Sequence, residues 1–510
     1  MDTKYIISLE IGSSAIKAAA AKIAGDSRDK LSLLAIEEQP ITDIVPRGRI
    51  QNVEEVTHHT REILDRLAAT PEVYPRKIVA VRVGIGGRSL RTQKTAVALR
   101  LPSEREITQE IIDRLFKEAS AKIPEGREPL EVIPTRYVVD GVVQPRPKGS
   151  FGKEISADFT LVYCDAINVK NLRRVIDERL GLNIECLVVR PLAIANLVLS
   201  KDDTVPGCML VDLGAETTTV SIFKNSNLQY ISTIPLGSRH ITRDLANGLG
   251  IIEERAEQTK ISLGTAIPDL SRTDPQQARI DSYVQARASE IVANIFAHID
   301  FAGYKPKDLG AGIILTGRGS KLRNFGPLLE QHSGMKVRSA HVPNRILVSD
   351  SSINTTDNID IIAVSSYDVI YDLEHPEVQY VTEPQPAPQP EVKQEEYVID
   401  PDEYEKVDNV PSDGFGFDFD SYQEPGANYR EDGDELLDDD LAEQKRQKEE
   451  ARKRDDERRA QELAEKEREA RLDKSKKQES SLKNWLTRLQ QRATEFMNSS
   501  GDNSDDMDSE

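Results

Sequence analysis

The stretch Ile6-Ile-Ser-Leu-Glu-Ile-Gly-Ser-Ser-Ala-Ile-Lys-Ala-Ala-Ala-Ala-Lys-Ile23 opens the chain with two apolar runs. These runs, Ile6–Ile11 and Ala15–Ile23, flank the turn Gly12-Ser13-Ser14, and the pattern predicts two strands joined by a tight turn. Backbone N–H groups and hydroxyls in such a turn can hold phosphate oxygens, and Lys17 follows where it could reach a terminal phosphate. Taken alone, a plain hairpin is the better interpretation.

The same pattern returns in the middle of the chain, where Asp212 takes the place of Glu10. Here three apolar runs are separated by short turns, and small residues again occupy the first turn. The runs are Met209–Leu213, Thr219–Phe223 and Leu228–Ile234, and the first turn is Gly214-Ala-Glu-Thr217. Two halves that each open in this way predict a duplicated α/β unit rather than a short repeat.

A third small-residue segment, Leu315-Thr-Gly-Arg-Gly-Ser320, ends the predicted strand Gly312–Leu315, and its glycines permit close approach to a base or ribose. Two acid-x-Gly turns facing each other across a cleft could hold a polyphosphate and its magnesium. Glu10 and Asp212 would then act through metal-bound water. The residues predicted to contact a nucleotide in these segments are Gly12, Ser13, Ser14, Lys17, Asp212, Gly214, Thr217, Thr218, Gly317, Gly319 and Ser320.

The remaining pattern up to about residue 372 alternates between helix-like and strand-like segments. Apolar periodicity predicts helices at Val53–Leu67, Thr108–Lys122, Val169–Leu180, Leu192–Leu199, Ser238–Leu249 and Gln285–Phe301, and strands at Ile78–Val83 and Ile184–Val189. Two blocks interrupt the halves. Residues 84–166 carry one of these helices and a β-rich segment, and residues 255–307 are mostly helical.

Charge is concentrated in one part of this 510-residue chain, whose net charge is −20. Residues 373–440 hold 22 acidic and 3 basic side chains, a net of −19, so the rest of the chain is close to neutral. This argues against a nucleic-acid partner. The chain shows neither a spanning apolar run nor a signal peptide, and its three cysteines lack metal-ligand spacing. A cytosolic protein with buried, reduced thiols is expected.

The last quarter of the sequence, from residue 373, is predicted to extend beyond the folded body. Its proline-rich, acidic residues 373–440 indicate a disordered linker, and residues 441–479 a solvated, charged helix. Residues 480–498 predict an amphipathic helix, followed by an acidic disordered tail at 499–510. The apolar face of that helix carries Leu482, Trp485, Leu486, Leu489 and Phe496, and the cations beside it are Lys483, Arg488 and Arg492. An anionic membrane surface is the favoured partner, and packing on the body or on another protein is the alternative.

These motifs resemble the actin-like ATPase superfamily and, within it, the FtsA family of bacterial cell-division proteins. Leu9–Ser14 and Val211–Gly214 resemble its two phosphate motifs, and Ile314–Ser320 resembles its adenosine motif. Ile234–Ala246 and Ala256–Lys260 are similar to two stretches of the FtsA family itself. In the second of these stretches, the resemblance implies that Glu257 and Lys260 face the nucleotide ribose.

The resemblance implies a duplicated RNase H-like fold with inserted subdomains. The expected boundaries are 1–83 and 167–204 for subdomain 1A, 84–166 for 1C, 205–254 and 308–372 for 2A, and 255–307 for 2B. It further implies bound ATP and magnesium, self-assembly into filaments, and later division proteins as additional partners. The C-terminal peptide of the tubulin-like protein FtsZ would bind through 2B, where the candidate residues are Arg287, Glu290 and Asn294. The expected location is peripheral, on the cytoplasmic side of the inner membrane at midcell.

Departures from the family pattern affect hydrolysis more than binding. Glu10 replaces the usual aspartate, and Ala215 and Glu216 replace glycines of the second turn. Arg190 stands where many relatives place the acid that positions attacking water, and Arg318 replaces a glycine. ATP binding with weak or absent turnover is therefore expected. The alternatives are a small-metabolite kinase of the same fold, which would need a general base in the cleft, and a pilus-assembly adaptor similar to PilM.

Overall fold

The computed structural model describes residues 4–23, 30–269, 271, 274–375 and 377–383. The charged helix, the amphipathic helix, the acidic tail and most of the predicted linker lie outside these residues. The described strands are β1 (Lys4–Ile11), β2 (Ala15–Ile23), β3 (Leu31–Pro40), β4 (Ala80–Ile85), β5 (Arg91–Glu106), β6 (Arg127–Val139), β7 (Val142–Val143), β8 (Phe151–Asp165), β9 (Asn183–Val189), β10 (Cys208–Leu213), β11 (Thr218–Lys224), β12 (Asn227–Ile234), β13 (Gly312–Thr316), β14 (Val337–Ser339) and β15 (Ile346–Val348).

The α-helices within the same residues cover the sheets. They are α1 (Val53–Ala68), α2 (Gln109–Ser120), α3 (Ala166–Arg173), α4 (Arg190–Val198), α5 (Lys201–Thr204), α6 (Ser238–Leu249), α7 (Glu253–Leu263), α8 (Pro275–Phe301), α9 (Phe325–Ser333), α10 (Ile359–Ser366) and α11 (Val369–Glu374). A π-helical turn, Arg174–Leu180, continues α3 and ends at Gly181, whose φ of 70° forms a left-handed cap. None of these helices has the length and apolarity needed to cross a membrane.

Two sheets carry the predicted duplication. The first has six strands in the order β15-β3-β2-β1-β4-β9, and the second has nine in the order β14-β13-β10-β11-β12-β5-β8-β6-β7. Each half contains two antiparallel hairpin pairings followed by parallel strands, so β3-β2-β1-β4-β9 corresponds to β12-β11-β10-β13-β14. The prediction of a duplicated α/β unit is therefore confirmed.

Two apolar cores pack against the sheets, and the first also takes in second-sheet residues such as Leu210 and Ile314. One core packs β1, β2 and β4 against α1, α4 and α10, and a second packs β10, β11 and β13 against α6, α8 and α9. Strands β2 and β10 are buried along almost their whole length. In β10, Met209 and Val211 face the second core, whereas Leu210 packs in the first. The segment between β4 and α3 has a third core, where Phe116 and Phe159 meet edge to face.

The chain returns to the first half earlier than the sequence indicated. Residues 308–372 were expected to belong to the second half, but β15 pairs with β3 and α10 packs in the first core. The residues of α10 from Ile359 to Ser365 are almost all buried because the helix lies between β1 and α4. The predicted linker also begins too early, since Tyr380 is buried and Val381 bridges to Ile78.

Local differences from the expected elements are small except in two places. Helix α8 begins at Pro275 rather than Gln285, because the Asp274 side chain caps it by accepting from the Gln276 N–H at 3.0 Å. The long strands β5 and β8 were not predicted. Most of the β5 side chains are exposed, so the apolar alternation that marks a strand is missing there.

Candidate functional site

Two turns of the same geometry face one cleft. In the first, the Gly12 N–H donates to the Ala15 carbonyl at 2.9 Å, and in the second the Gly214 N–H donates to the Thr217 carbonyl at 2.9 Å. Both turns line the cleft together with the loop after β4 and the end of β13. The bonding pattern confirms that the two turns occupy equivalent places in the duplicated unit.

The two acidic residues before these turns are also equivalent. Glu10 pairs in the sheet with Gly84 of β4, and Asp212 pairs with Thr316 of β13. Both acids line the cleft and both are buried, with 4% and 8% of their surfaces exposed. Burial raises the pKa of each carboxyl because the loss of water outweighs the attraction of nearby Arg190.

Arg190, at the start of α4, joins these two acids. Its Nη1 lies 2.6 Å from Glu10 Oε1, and its Nη2 lies 3.0 Å from Asp212 Oδ2. Burial alone would lower the pKa of Arg190, but the two carboxylates raise it above its ordinary value. A strong ion bridge therefore connects the two halves at the base of the cleft.

Lys17 and Asp360 form a second ion pair in the same cleft. The Lys17 ammonium lies 2.7 Å from Asp360 Oδ2 and also donates to the Asp357 carbonyl at 3.1 Å. Burial pushes the pKa of Asp360 upward, but Lys17 outweighs this effect and holds that pKa below its usual range. Lys17 thus lines the cleft as predicted, with its charge balanced by a carboxylate.

The arrangement does not fit the predicted magnesium position. A hydrated magnesium ion between Glu10 and Asp212 would need both carboxylates as acceptors for its water. One oxygen of each carboxylate is instead bonded to Arg190. A guanidinium thus stands between the two acids, where the sequence indicated a metal.

The third segment brings its backbone close to the second turn. Gly317, at the end of β13, has a φ of 84°, which side chains rarely allow. A Cβ at this position would lie 2.6 Å from Asp212 Oδ1 and would also clash with the Leu213 carbonyl. Gly317 is therefore required by both its conformation and its close approach to Asp212.

Two residues that depart from the family pattern connect the halves across the cleft mouth. Glu216 accepts from the Arg47 N–H at 2.9 Å and lies within 3.4 Å of Arg239 and Arg243. Arg318 donates to both carboxylate oxygens of Glu38 at 2.5 Å. The carboxylate of Glu216 is thus engaged with cations of α6 and with the loop after β3.

Two family models match parts of the chain, one over the residues that the second half contributes to this site and one over the segment between β4 and α3. The model described as "Cell division protein FtsA" matches residues 209–356, and the model described as "SHS2 domain inserted in FTSA" matches residues 87–163. Curated relatives extend the likeness over most of the described chain. "Cell division protein FtsA" of Porphyromonas gingivalis is 29% identical over 397 residues, 75% of this chain and 81% of the relative.

The corresponding protein of Bacillus subtilis is 29% identical over 372 residues, 69% of this chain and 82% of the relative. The chain belongs to the FtsA family of cell division proteins. Among solved structures, the "PilM-PilN type IV pilus biogenesis complex" superposes with a TM-score of 0.51 at 17% identity. That match covers 72% of this chain and 98% of the other, and it shows the actin-like α/β fold alone.

The cleft brings together most of the residues predicted from the FtsA-family motifs. Those that line it are Glu10, Gly12, Ser13, Ser14, Lys17, Asp212, Gly214, Thr217 and Gly317. The other predicted nucleotide residues are not among the described residues that line it: Thr218, Glu257, Lys260, Gly319 and Ser320. These five remain predictions.

Glu257 and Lys260 form a compact group between α6 and α7. Lys260 Nζ lies 2.7 Å from Glu257 Oε2 and donates to Thr242 Oγ1 at 2.9 Å and to the Ser238 carbonyl at 3.2 Å. Burial lowers the pKa of Lys260 despite the neighbouring carboxylate. In this arrangement the pair fixes α7 against the start of α6.

The three candidate partner residues lie on one face of α8 and belong to one network. Arg287 binds both carboxylate oxygens of Asp244 on α6, at 2.6 and 3.0 Å, and also bonds Glu290 at 2.5 Å. The Asn294 side chain donates to the Glu290 carbonyl at 2.8 Å. A partner peptide that used Arg287 would have to compete with Asp244.

The sequence motifs do not identify several of the residues and contacts that shape the cleft. The family motifs mark Arg190 only as a departure, and no local pattern indicates the pairing of Lys17 with Asp360. Gly86 and Gly87, in the loop after β4, also line the cleft, and the pattern Gly84-x-Gly86-Gly87 at the end of that strand could have indicated them. Two cysteines, Cys164 and Cys208, are buried as expected, whereas Cys186 is half-buried. Burial raises the pKa of both buried thiols to about 12.

Proposed function

We propose that this FtsA-family chain tethers filaments of FtsZ to the cytoplasmic face of the inner membrane at midcell. In this proposal it binds ATP in the cleft, assembles into filaments and anchors them through the helix predicted at residues 480–498. The observation that supports a nucleotide cleft best is the pair of equivalent turns, Gly12–Ala15 and Gly214–Thr217, opening onto one site. Their N–H groups and hydroxyls are the donors that polyphosphates require.

The charges of the cleft favour binding over hydrolysis. A kinase or an active ATPase needs a carboxylate free to accept a proton or to orient water. Glu10 and Asp212 are both bonded to Arg190, and Asp360 is bonded to Lys17. We therefore favour an ATP-dependent structural protein with weak or absent turnover over the kinase alternative.

A single interfacial helix binds lipid weakly, so the proposal depends on many copies acting together. Copies joined in a filament would bind by avidity without any new contact. The FtsZ filament would hold many copies of this chain together, because each copy would bind one FtsZ C-terminal peptide. The candidate contacts for that peptide are Arg287, Glu290 and Asn294. Later division proteins would bind the assembled filament.

Removing the C-terminal helix is expected to abolish membrane binding. A chain truncated before Ser480 should stay in the supernatant with anionic vesicles, whereas the full chain pellets. In the full chain, Leu486→Glu should lower binding at least about tenfold, because it places a charge on the apolar face. Co-sedimentation is the measurement, and FtsZ added to the full chain should pellet with it.

The matched control is Thr487→Glu, which adds the same charge at the next residue, off the apolar face. It should bind within about threefold of the unchanged chain, since its side chain stays in water. Equal pelleting of the truncated and full chains would contradict the proposed membrane anchor. If the full chain pellets with the vesicles while the added FtsZ stays in the supernatant, only the proposed FtsZ partnership is contradicted.

A further inference from the structure

Arg190 occupies the place between the two turns from which a cation could act on both halves. Its side chain is 15% exposed, and the side chains of Glu10 and Asp212 are 5% and 10% exposed. The residue belongs to α4 of the first half, yet it reaches the acid of the second. It is therefore a fixed part of the site rather than a surface charge.

The charges around Arg190 are already nearly balanced without a metal ion. Three carboxylates, those of Glu10, Asp212 and Asp360, face two cations, Arg190 and Lys17, which leaves one negative charge when all are ionised. Adding a divalent cation beside the guanidinium would place like charges together. The protein thus supplies the positive charge that a bound metal would otherwise bring to these acids.

The guanidinium also keeps donors for a ligand. It has five N–H groups, of which the two ion pairs use Nη1 and Nη2 on one side. Its Nε is buried and has no hydrogen-bond partner in the described structure. Gly86 leaves room beside the guanidinium because it has no Cβ. A Cβ at this position would lie 3.4 Å from the Arg190 Nε, Cζ and Nη2 atoms. Arginine presents donors in a planar fork that matches phosphate oxygens.

We propose that Arg190 is the internal cation of this cleft, bridging Glu10 and Asp212 while donating to the polyphosphate of a nucleotide that binds without a divalent metal. This inference rests on the proposed nucleotide function of the same cleft. It assigns the ligand class as a metal-free nucleoside di- or triphosphate. It makes Arg190 a binding residue for the polyphosphate.

The test compares ATP affinity in excess magnesium and in EDTA, measured by calorimetry on the full chain. The unchanged chain should show less than about a fivefold difference, whereas Arg190→Gln should bind at least about tenfold more tightly with magnesium. Arg136→Gln is the matched control, since Arg136 forms an exposed ion pair with Asp158 outside the cleft. A larger than fivefold loss in EDTA for the unchanged chain would overturn the proposal.

A second measurement needs no nucleotide. Manganese binding, followed by electron paramagnetic resonance, should give equal stoichiometry for the unchanged chain and Arg136→Gln, and one additional ion for Arg190→Gln. If the unchanged chain binds ATP in neither buffer, the proposed function fails, and the manganese result then decides the role of Arg190 separately. Equal manganese stoichiometry in all three proteins would overturn that role. The unchanged chain's ATP measurements do not depend on whether the variant folds.

Discussion

Replacing Asp372 with alanine is expected to lower the free energy of unfolding by about 3–5 kcal/mol, because it leaves a buried arginine without its carboxylate. Arg82, on β4, pairs with Asp372 on α11, and the two side chains are 2% and 0% exposed. Tyr380 donates to the same carboxylate at 3.2 Å. Urea unfolding of the full chain would measure the loss.

The exposed ion pair between Arg136 and Asp158 offers the matched control. Its side chains are 58% and 41% exposed, so Asp158→Ala should cost less than about 1 kcal/mol. The difference between the two variants reports the burial of the first pair. A loss below about 1 kcal/mol for Asp372→Ala would show that the segment after α10 is not fixed to the first half in solution.

The second large effect is expected at Gly317. Alanine there must adopt a φ of 84° and would press its Cβ on Asp212 and on the Leu213 carbonyl. The combined strain should cost about 3 kcal/mol or more, and the displaced turn should lower ATP affinity at least about tenfold. Urea unfolding and a nucleotide titration would measure the two losses.

Gly334 provides the control because it also has a positive φ, in the left-handed helical region, but lacks the crowding. Its φ is 68°, and nothing lies within 4 Å of a Cβ built there. Gly334→Ala should therefore cost only about 1 kcal/mol and leave nucleotide affinity unchanged. Equal costs at the two glycines would contradict the close approach of the third segment to Asp212.

The sequence was sufficient to predict the duplicated halves and the two turns. Each turn is encoded locally, by small residues between two apolar runs, so the strand-turn-strand pattern could be read without tertiary information. The equivalence of Glu10 and Asp212 followed from their places before those turns. The third segment at Gly317 was identified in the same way, from glycines at the end of a strand.

Features that depend on long-range packing could not be predicted. The chain's return to the first half at β15 and α10 is fixed by burial against β3 and β1, which no local pattern encodes. Arg190 differs from the acid that many relatives have at this position. Its role as a bridge between two acids is evident only when the fold brings the two turns together. No local pattern around Arg190 indicates that it bonds acids from both halves.

Hydrogen–deuterium exchange of the full chain, with and without ATP, tests the nucleotide cleft most directly. Added ATP should slow exchange in three segments that are distant in sequence, residues 11–15, 213–218 and 316–320. Exchange at the exposed start of β8, near Phe151, should stay unchanged. Unchanged exchange in all three segments at saturating ATP, or protection confined to other parts of the chain, would contradict the cleft as the nucleotide site.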